Sequence, residues 1–160
     1  MITNNYPNWL VLVEQAKRLK EIGFDKECHF FYNFYEDVNE LCCYSDISEE
    51  KAKALFPNEY NKNSDGYYMY LSIPSHEQVF EWFREKGLES MIDFHCVIEL
   101  IVKTGYKYRI FSMKNLKLIE NDFFIEKYEE VREALINKLI EVYEEDVDDK
   151  PIEVYKKLNK

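Results

Sequence analysis

The sequence predicts an α+β fold: an antiparallel sheet of four to five strands, with about three main helices packed mostly on one of its faces. Three stretches carry that prediction. Residues 75–86 read as a helix marked at both ends, residues 91–102 alternate apolar and polar side chains, and residues 125–143 repeat apolar side chains at helical spacing. A chain of 160 residues with 46% hydrophobic content, four Gly and four Pro suits one compact domain with its own core. That domain is expected over 1–145, with 146–160 as an acidic C-terminal extension.

Taken in order, residues 12–22 fit a first helix, with Val13, Ala16, Leu19 and Ile22 along one side and Gly23 closing it. Glu14 and Arg18 sit one turn apart and can pair. Residues 28–35 read as a strand with Phe30, Tyr32 and Phe34 on one face and His29, Phe31 and Tyr35 on the other. Two aromatic faces indicate either a central strand or one whose second face meets something. Residues 41–44 give a second strand. Asp46 opens a short helix that closes before Pro57, and 58–66 is a polar loop. Residues 67–73 form the next strand.

The stretch from Pro74 to Leu88 is the clearest signal. Ser75 and Gln78 have the spacing of a capping box, in which each side chain bonds the other's backbone amide. Val79, Phe80, Trp82 and Phe83 make one apolar stripe, and Gly87 stands where a left-handed closing residue is wanted. In residues 91–102 the even positions Ile92, Phe94, Cys96, Ile98, Leu100 and Val102 are apolar, while Asp93, His95 and Glu99 share the other face. Lys103-Thr104-Gly105 reads as the turn and 106–113 as the returning strand, with Tyr108 and Ile110 inward and Lys107 and Arg109 outward. Glu99 can then meet those two cations across the hairpin. In the last long helix Tyr128, Val131, Leu135, Leu139 and Val142 form a stripe that Ile136, Ile140 and Tyr143 widen, enough to cover a sheet or touch a second chain. Beyond it, Ile152, Val154, Tyr155 and Leu158 fit one short final helix.

Composition narrows the chemistry. A net charge of −10 works against nucleic acid as a direct partner and favours a basic partner or simple solubility. No run reaches the length of a membrane span, and residues 1–8 lack an export signal, so a cytoplasmic protein is expected. Cys28, Cys42, Cys43 and Cys96 show neither a disulfide framework nor zinc spacing and read as reduced, mostly buried thiols. Phosphate-loop, nucleophile-elbow, zinc-protease and EF-hand patterns are lacking. No catalytic residue, cofactor site or metal site is therefore assigned.

Two clusters remain as candidates. Tyr32, Tyr68, Tyr70 and Tyr108 exceed what one core needs, and tyrosine is enriched where proteins meet. Asp93, His95 and Glu99 bring carboxylates beside an imidazole, the start of an acid–base pair, although no nucleophile accompanies them. His76, in the first turn of its helix, reads as a surface residue.

Three blocks resemble small uncharacterised proteins from phages and mobile elements of gut bacteria. They are Val13-Glu14-Gln15-Ala16-Lys17-Arg18-Leu19-Lys20-Glu21-Ile22-Gly23-Phe24, the segment holding Trp82-Phe83-Arg84-Glu85-Lys86-Gly87, and Tyr128-Glu129-Glu130-Val131-Arg132-Glu133-Ala134-Leu135-Ile136. Together they cover roughly a third of the chain in the expected order. The resemblance implies a phage or mobile-element setting and an α+β fold; it implies no reaction. The expected function is a non-enzymatic protein-binding module that modulates a host protein. The alternatives are an acidic decoy for a nucleic-acid-binding surface and a small ligand-binding protein or enzyme with a pocket near His95. A homodimer is a further expectation.

Overall fold

A computed structural model describes residues 6–34, 40–43, 70–98, 102–120 and 124–148. The described elements are α1 (Val13–Glu21), β1 (Phe30–Asn33), β2 (Glu40–Cys43), β3 (Tyr70–Ile73), α2 (His76–Glu85), β4 (Leu88–Ile98), β5 (Val102–Ser112), β6 (Lys117–Glu120) and α3 (Tyr128–Asp148). The expected helix from Asp46, the loop over 58–66 and the expected final helix lie outside the described residues. The α+β class holds, but the described strands do not join into one sheet of four to five. They form two antiparallel sheets of three, ordered β2-β1-β3 and β4-β5-β6.

The aromatic strand is central, one of the two arrangements its aromatic faces allow: Phe31 and Tyr32 are both buried, with β2 on one side and β3 on the other. In the second sheet, β4 and β5 pair over eleven residues each, from Leu88 opposite Ser112 to Ile98 opposite Val102. Lys103-Thr104-Gly105, expected as the turn, therefore lies inside β5. Gly105 serves a different purpose. A Cβ there would meet the Ile125 carbonyl oxygen and the Phe124 Cβ, each at 3.0 Å. Ile125 exchanges two backbone hydrogen bonds with Tyr106, at 2.8 and 3.0 Å, so that carbonyl is held in place. Gly105→Ala is expected to destabilise the fold by about 1–2 kcal/mol through overpacking, which urea denaturation measures; an unchanged midpoint would remove this role.

Both ends of α2 follow their sequence markers. Ser75 Oγ accepts from the Gln78 amide at 3.2 Å, and the Ser75 amide donates to Gln78 Oε1 at 2.9 Å. Gly87 closes the helix at φ +88° and Gly23 closes α1 at φ +90°. Trp82 is 1% exposed. Its ring packs against Phe24, Phe83 and Tyr143 with centroids 5.6, 5.0 and 5.2 Å away, and its Nε1 donates to Asp25 Oδ1 at 3.0 Å. In α1, Glu14 pairs with Lys17 at 2.8 Å rather than with Arg18, which reaches Glu144 of α3 at 3.2 Å.

The three helices enclose one core cluster to which both sheets contribute, from Tyr32, Leu71 and Ile73 to Leu88 and Ile110. Val131, Leu135, Ile136, Leu139, Ile140 and Val142 of α3 are all buried in the chain's own core. Of the two roles expected of this stripe, covering a sheet or touching a second chain, its burial matches the first. Helix α3 also runs to Asp148, so the first residues assigned to the acidic extension continue the helix.

His76 is buried, contrary to its reading as a surface residue. The cause is a distant segment. Val11 donates its amide to the Pro74 carbonyl and the His76 amide donates to the Trp9 carbonyl, both at 3.1 Å. Residues 7–11 are thereby laid over the start of α2. Arg132 of α3 donates through Nη2 to the Asn8 carbonyl and pins the same segment from the other side.

Candidate functional site: the outward face of the second sheet

Alternation along β4 and β5 gives the second sheet an inner and an outer face. Leu88, Ile92, Tyr108 and Ile110 face the core or pack at its margin. Glu89, Met91, Asp93 and His95 point the other way, opposite Phe111, Arg109, Lys107 and Gly105. β6 adds Leu118 to this outer face, directly opposite Phe111.

Asp93 and His95 do share a face, but they do not form an acid–base pair. Arg109 donates to Asp93 Oδ2 through Nε at 2.9 Å and through Nη2 as well. This is a diagonal pair, since Arg109 stands opposite Met91 and reaches one step along the strand. The His95 ring lies against Phe124 at 6.0 Å, and Lys107 Nζ sits 5.0 Å over the same Phe124 ring. Glu99 lies outside the described residues, so its expected pairing with the β5 cations does too.

Of the four tyrosines, the side chains of two are described, and neither is freely exposed. Tyr32 is buried in the first sheet, against Phe34 at 4.8 Å, and serves the core. Tyr108 is half-buried at the core margin, where burial raises its pKa and the Lys138 charge partly opposes the rise. Tyr70 occupies β3 opposite Asn33. Tyr68 lies outside the described residues.

The thiols also differ from expectation. Cys28 is buried, and burial, with a smaller contribution from the Glu27 charge, pushes its thiol up to about 12. Cys42 and Cys43 are half-buried and Cys96 is exposed. Among the described residues no three His, Cys, Asp or Glu side chains come together in a way that could hold a metal ion. No described helix is long and apolar enough to cross a membrane.

Sequence reasoning missed the apolar character of the outer face. Met91 and Leu118 are 51% and 55% exposed, and Phe111 between them is also exposed. Met113 and Leu116 extend the patch into the β5–β6 turn. Leu116 holds φ 56°, a left-handed conformation that costs an ordinary side chain about 1–2 kcal/mol. An exposed leucine in that conformation contributes nothing to the core and fits a role at the surface. β6 escaped notice because four residues, Lys117–Glu120, are too short for alternation to register.

Charge on this face is balanced, unlike that of the whole chain. Glu89 is paired with Arg84 at 3.3 Å and Asp93 with Arg109, while Lys103 is exposed and Lys107 caps an aromatic ring. Glu120 stands opposite Arg109, so this face is apolar with acids and bases in equal number around it, on a protein of net charge −10. Elsewhere the helical acids are interspersed with bases, as in Lys127–Glu130 at 2.9 Å and Lys138–Glu141 at 3.0 Å. Compared with protein-family models, curated proteins and solved structures, the chain finds no match in any of the three.

Proposed function

We propose that this chain is a non-enzymatic protein-binding module. Its binding face is the outer side of the β4–β5–β6 sheet, and it takes an apolar segment. The phage or mobile-element setting suggested by the sequence blocks makes a host protein the intended partner. The observation that carries the reading is the concentration of exposed Met91, Phe111, Met113, Leu116 and Leu118 on one face and its adjoining turn. Patches of that kind mark interaction surfaces on soluble proteins. Asp93 is engaged by Arg109 and His95 is stacked on an aromatic ring, which supports binding over proton transfer. The interspersed helical ion pairs weigh against an acidic decoy, which needs carboxylates aligned on one face.

The test is capture of a stoichiometric partner on the immobilised protein, compared with a Phe111→Glu, Leu118→Glu variant. Both positions are exposed, so the variant is expected to fold normally and to lose at least tenfold in retained partner. A partner held equally by both proteins places the site elsewhere, and the absence of any stoichiometric partner removes the reading.

A further inference from the structure

A second surface, independent of that face, lies along the outside edge of β4. β4 is the terminal strand of its sheet, and β5 is its sole strand partner among the described residues. An eleven-residue edge presents a long row of backbone donors and acceptors, a template that folded proteins normally cover or interrupt. The side chains here are also arranged unusually. The inner face leaves the core after Ile92: Phe94 is 62% exposed, touching Tyr106 at 5.4 Å, and Cys96 is exposed as well. An apolar ring on the core side of a strand, yet in water, needs a cover.

We infer that the cover is a second copy of the chain, joined edge to edge through antiparallel β4–β4 pairing centred on Phe94. Symmetry restricts the choice. A two-fold axis that pairs a strand with itself must keep each side chain on its own face of the sheet, so it passes through a residue and never between two. Centred on Phe94, the register sets Phe94 against Phe94 of the second copy, where two exposed rings meet. Asp93 then stands opposite His95 of the other copy, twice by symmetry. Arg109 occupies Asp93 Oδ2, which leaves Oδ1 to accept from that imidazole. Met91 stands opposite Val97, apolar against apolar, and Ile92 opposite Cys96.

The neighbouring registers lack this agreement. Centring on Asp93 sets carboxylate against carboxylate, centring on Ile92 places Met91 against Asp93, and centring on His95 places Asp93 against Val97. About Phe94 the apolar positions of Met91 to Val97 mirror one another, and the one polar pair, Asp93 and His95, is an acceptor opposite a donor. The result is a continuous six-stranded sheet formed by two copies.

The experiment is sedimentation equilibrium over a hundredfold range of concentration. The wild-type chain is expected to move from its monomer mass of 19.4 kDa toward twice that value. His95→Lys keeps a hydrogen-bond donor opposite Asp93 and is expected to dimerise as the wild type does. His95→Glu sets two carboxylates together, and Phe94→Asp does so at the axis; each is expected to weaken the dimer at least tenfold. Register is read separately with Phe94→Cys in a Cys96→Ser background, which mild oxidation should cross-link between copies. A wild-type chain that stays monomeric throughout overturns the inference. So does equal dimerisation of His95→Glu and His95→Lys, or failure of the cysteine variant to cross-link. Because Phe111 and Leu118 take no part in this edge, their variant should dimerise normally, which separates this inference from the proposed function.

Discussion

Trp82→Ala is expected to destabilise the protein by about 3–5 kcal/mol, the largest effect of any single truncation in the chain. The indole is the contact between the two ends of the sequence: it touches Phe24 from the loop after α1, Phe83 of its own helix and Tyr143 of α3. Removing it opens a cavity among elements that cannot all close together, because α1, α2 and α3 are each also anchored elsewhere. Trp82→Phe separates the two contributions. It keeps most of the apolar contact and deletes the hydrogen bond to Asp25, at a cost of about 1–2 kcal/mol. Urea denaturation of the two variants measures the difference. A loss under 1 kcal/mol for Trp82→Ala would mean that the core closes without the indole.

Acidification is expected to weaken the fold through His76. Burial, reinforced by the Arg132 charge, lowers the His76 pKa from 6.5 to about 4, with the Trp9 carbonyl acting in the opposite direction. Above about pH 6.5 the imidazole is neutral in both folded and unfolded chains, and stability does not depend on it. Between 6.5 and 4 the unfolded chain takes up a proton that the folded chain refuses, so stability falls across that window and levels off below it. The full shift corresponds to about 3 kcal/mol, and about 2 kcal/mol after allowance for solvent screening.

Carboxylates titrate in part of the same range, so the comparison needs a His76→Gln variant, which is neutral at every pH. The wild type should lose about 2 kcal/mol more than His76→Gln between pH 7 and pH 4. Parallel stability curves would show that His76 charges freely in the folded state. The first consequence of protonation is expected at residues 7–11, because His76 Nδ1 and Arg132 Nε are both buried without a hydrogen-bond partner beneath that segment. A second positive charge there is buried and repelled by the Arg132 guanidinium.

What was legible in the sequence was local. The Ser75–Gln78 box, Gly87 and the Trp82 stripe are decided within one or two helical turns, and they appear as expected. That both faces of β1 would be covered was legible too, because a strand with aromatic residues on both faces has no side to leave in water. Its central place in the sheet was one of two arrangements that would do so. What was illegible depends on residues far apart. Gly105 has the neighbours of a turn, Lys103 and Thr104, but its real constraint is the passage of Phe124 and Ile125 twenty residues later. His76 is buried by a segment more than sixty residues earlier in the chain.

The same limit governs the candidate site. Alternation in β4 identifies two faces, yet it cannot show that the core ends at Ile92 and leaves Phe94 in water. Nor can it show that Arg109 reaches diagonally to Asp93 and engages one oxygen of that carboxylate. The tyrosine surplus was real as composition, but Tyr32 goes to the core and Tyr108 to its margin. The apolar side chains that do remain exposed together belong to Met91, Phe111, Met113, Leu116 and Leu118, four of them in or beside a turn and a strand too short to announce themselves.

Amide hydrogen exchange of the chain with and without its captured partner tests the binding face most directly. Slowed exchange at Phe111, through the 113–116 turn and along Lys117–Glu120, with α1 and α3 unchanged, is the predicted result. Protection confined to the helices, with that hairpin exchanging as fast as in the free chain, would contradict it.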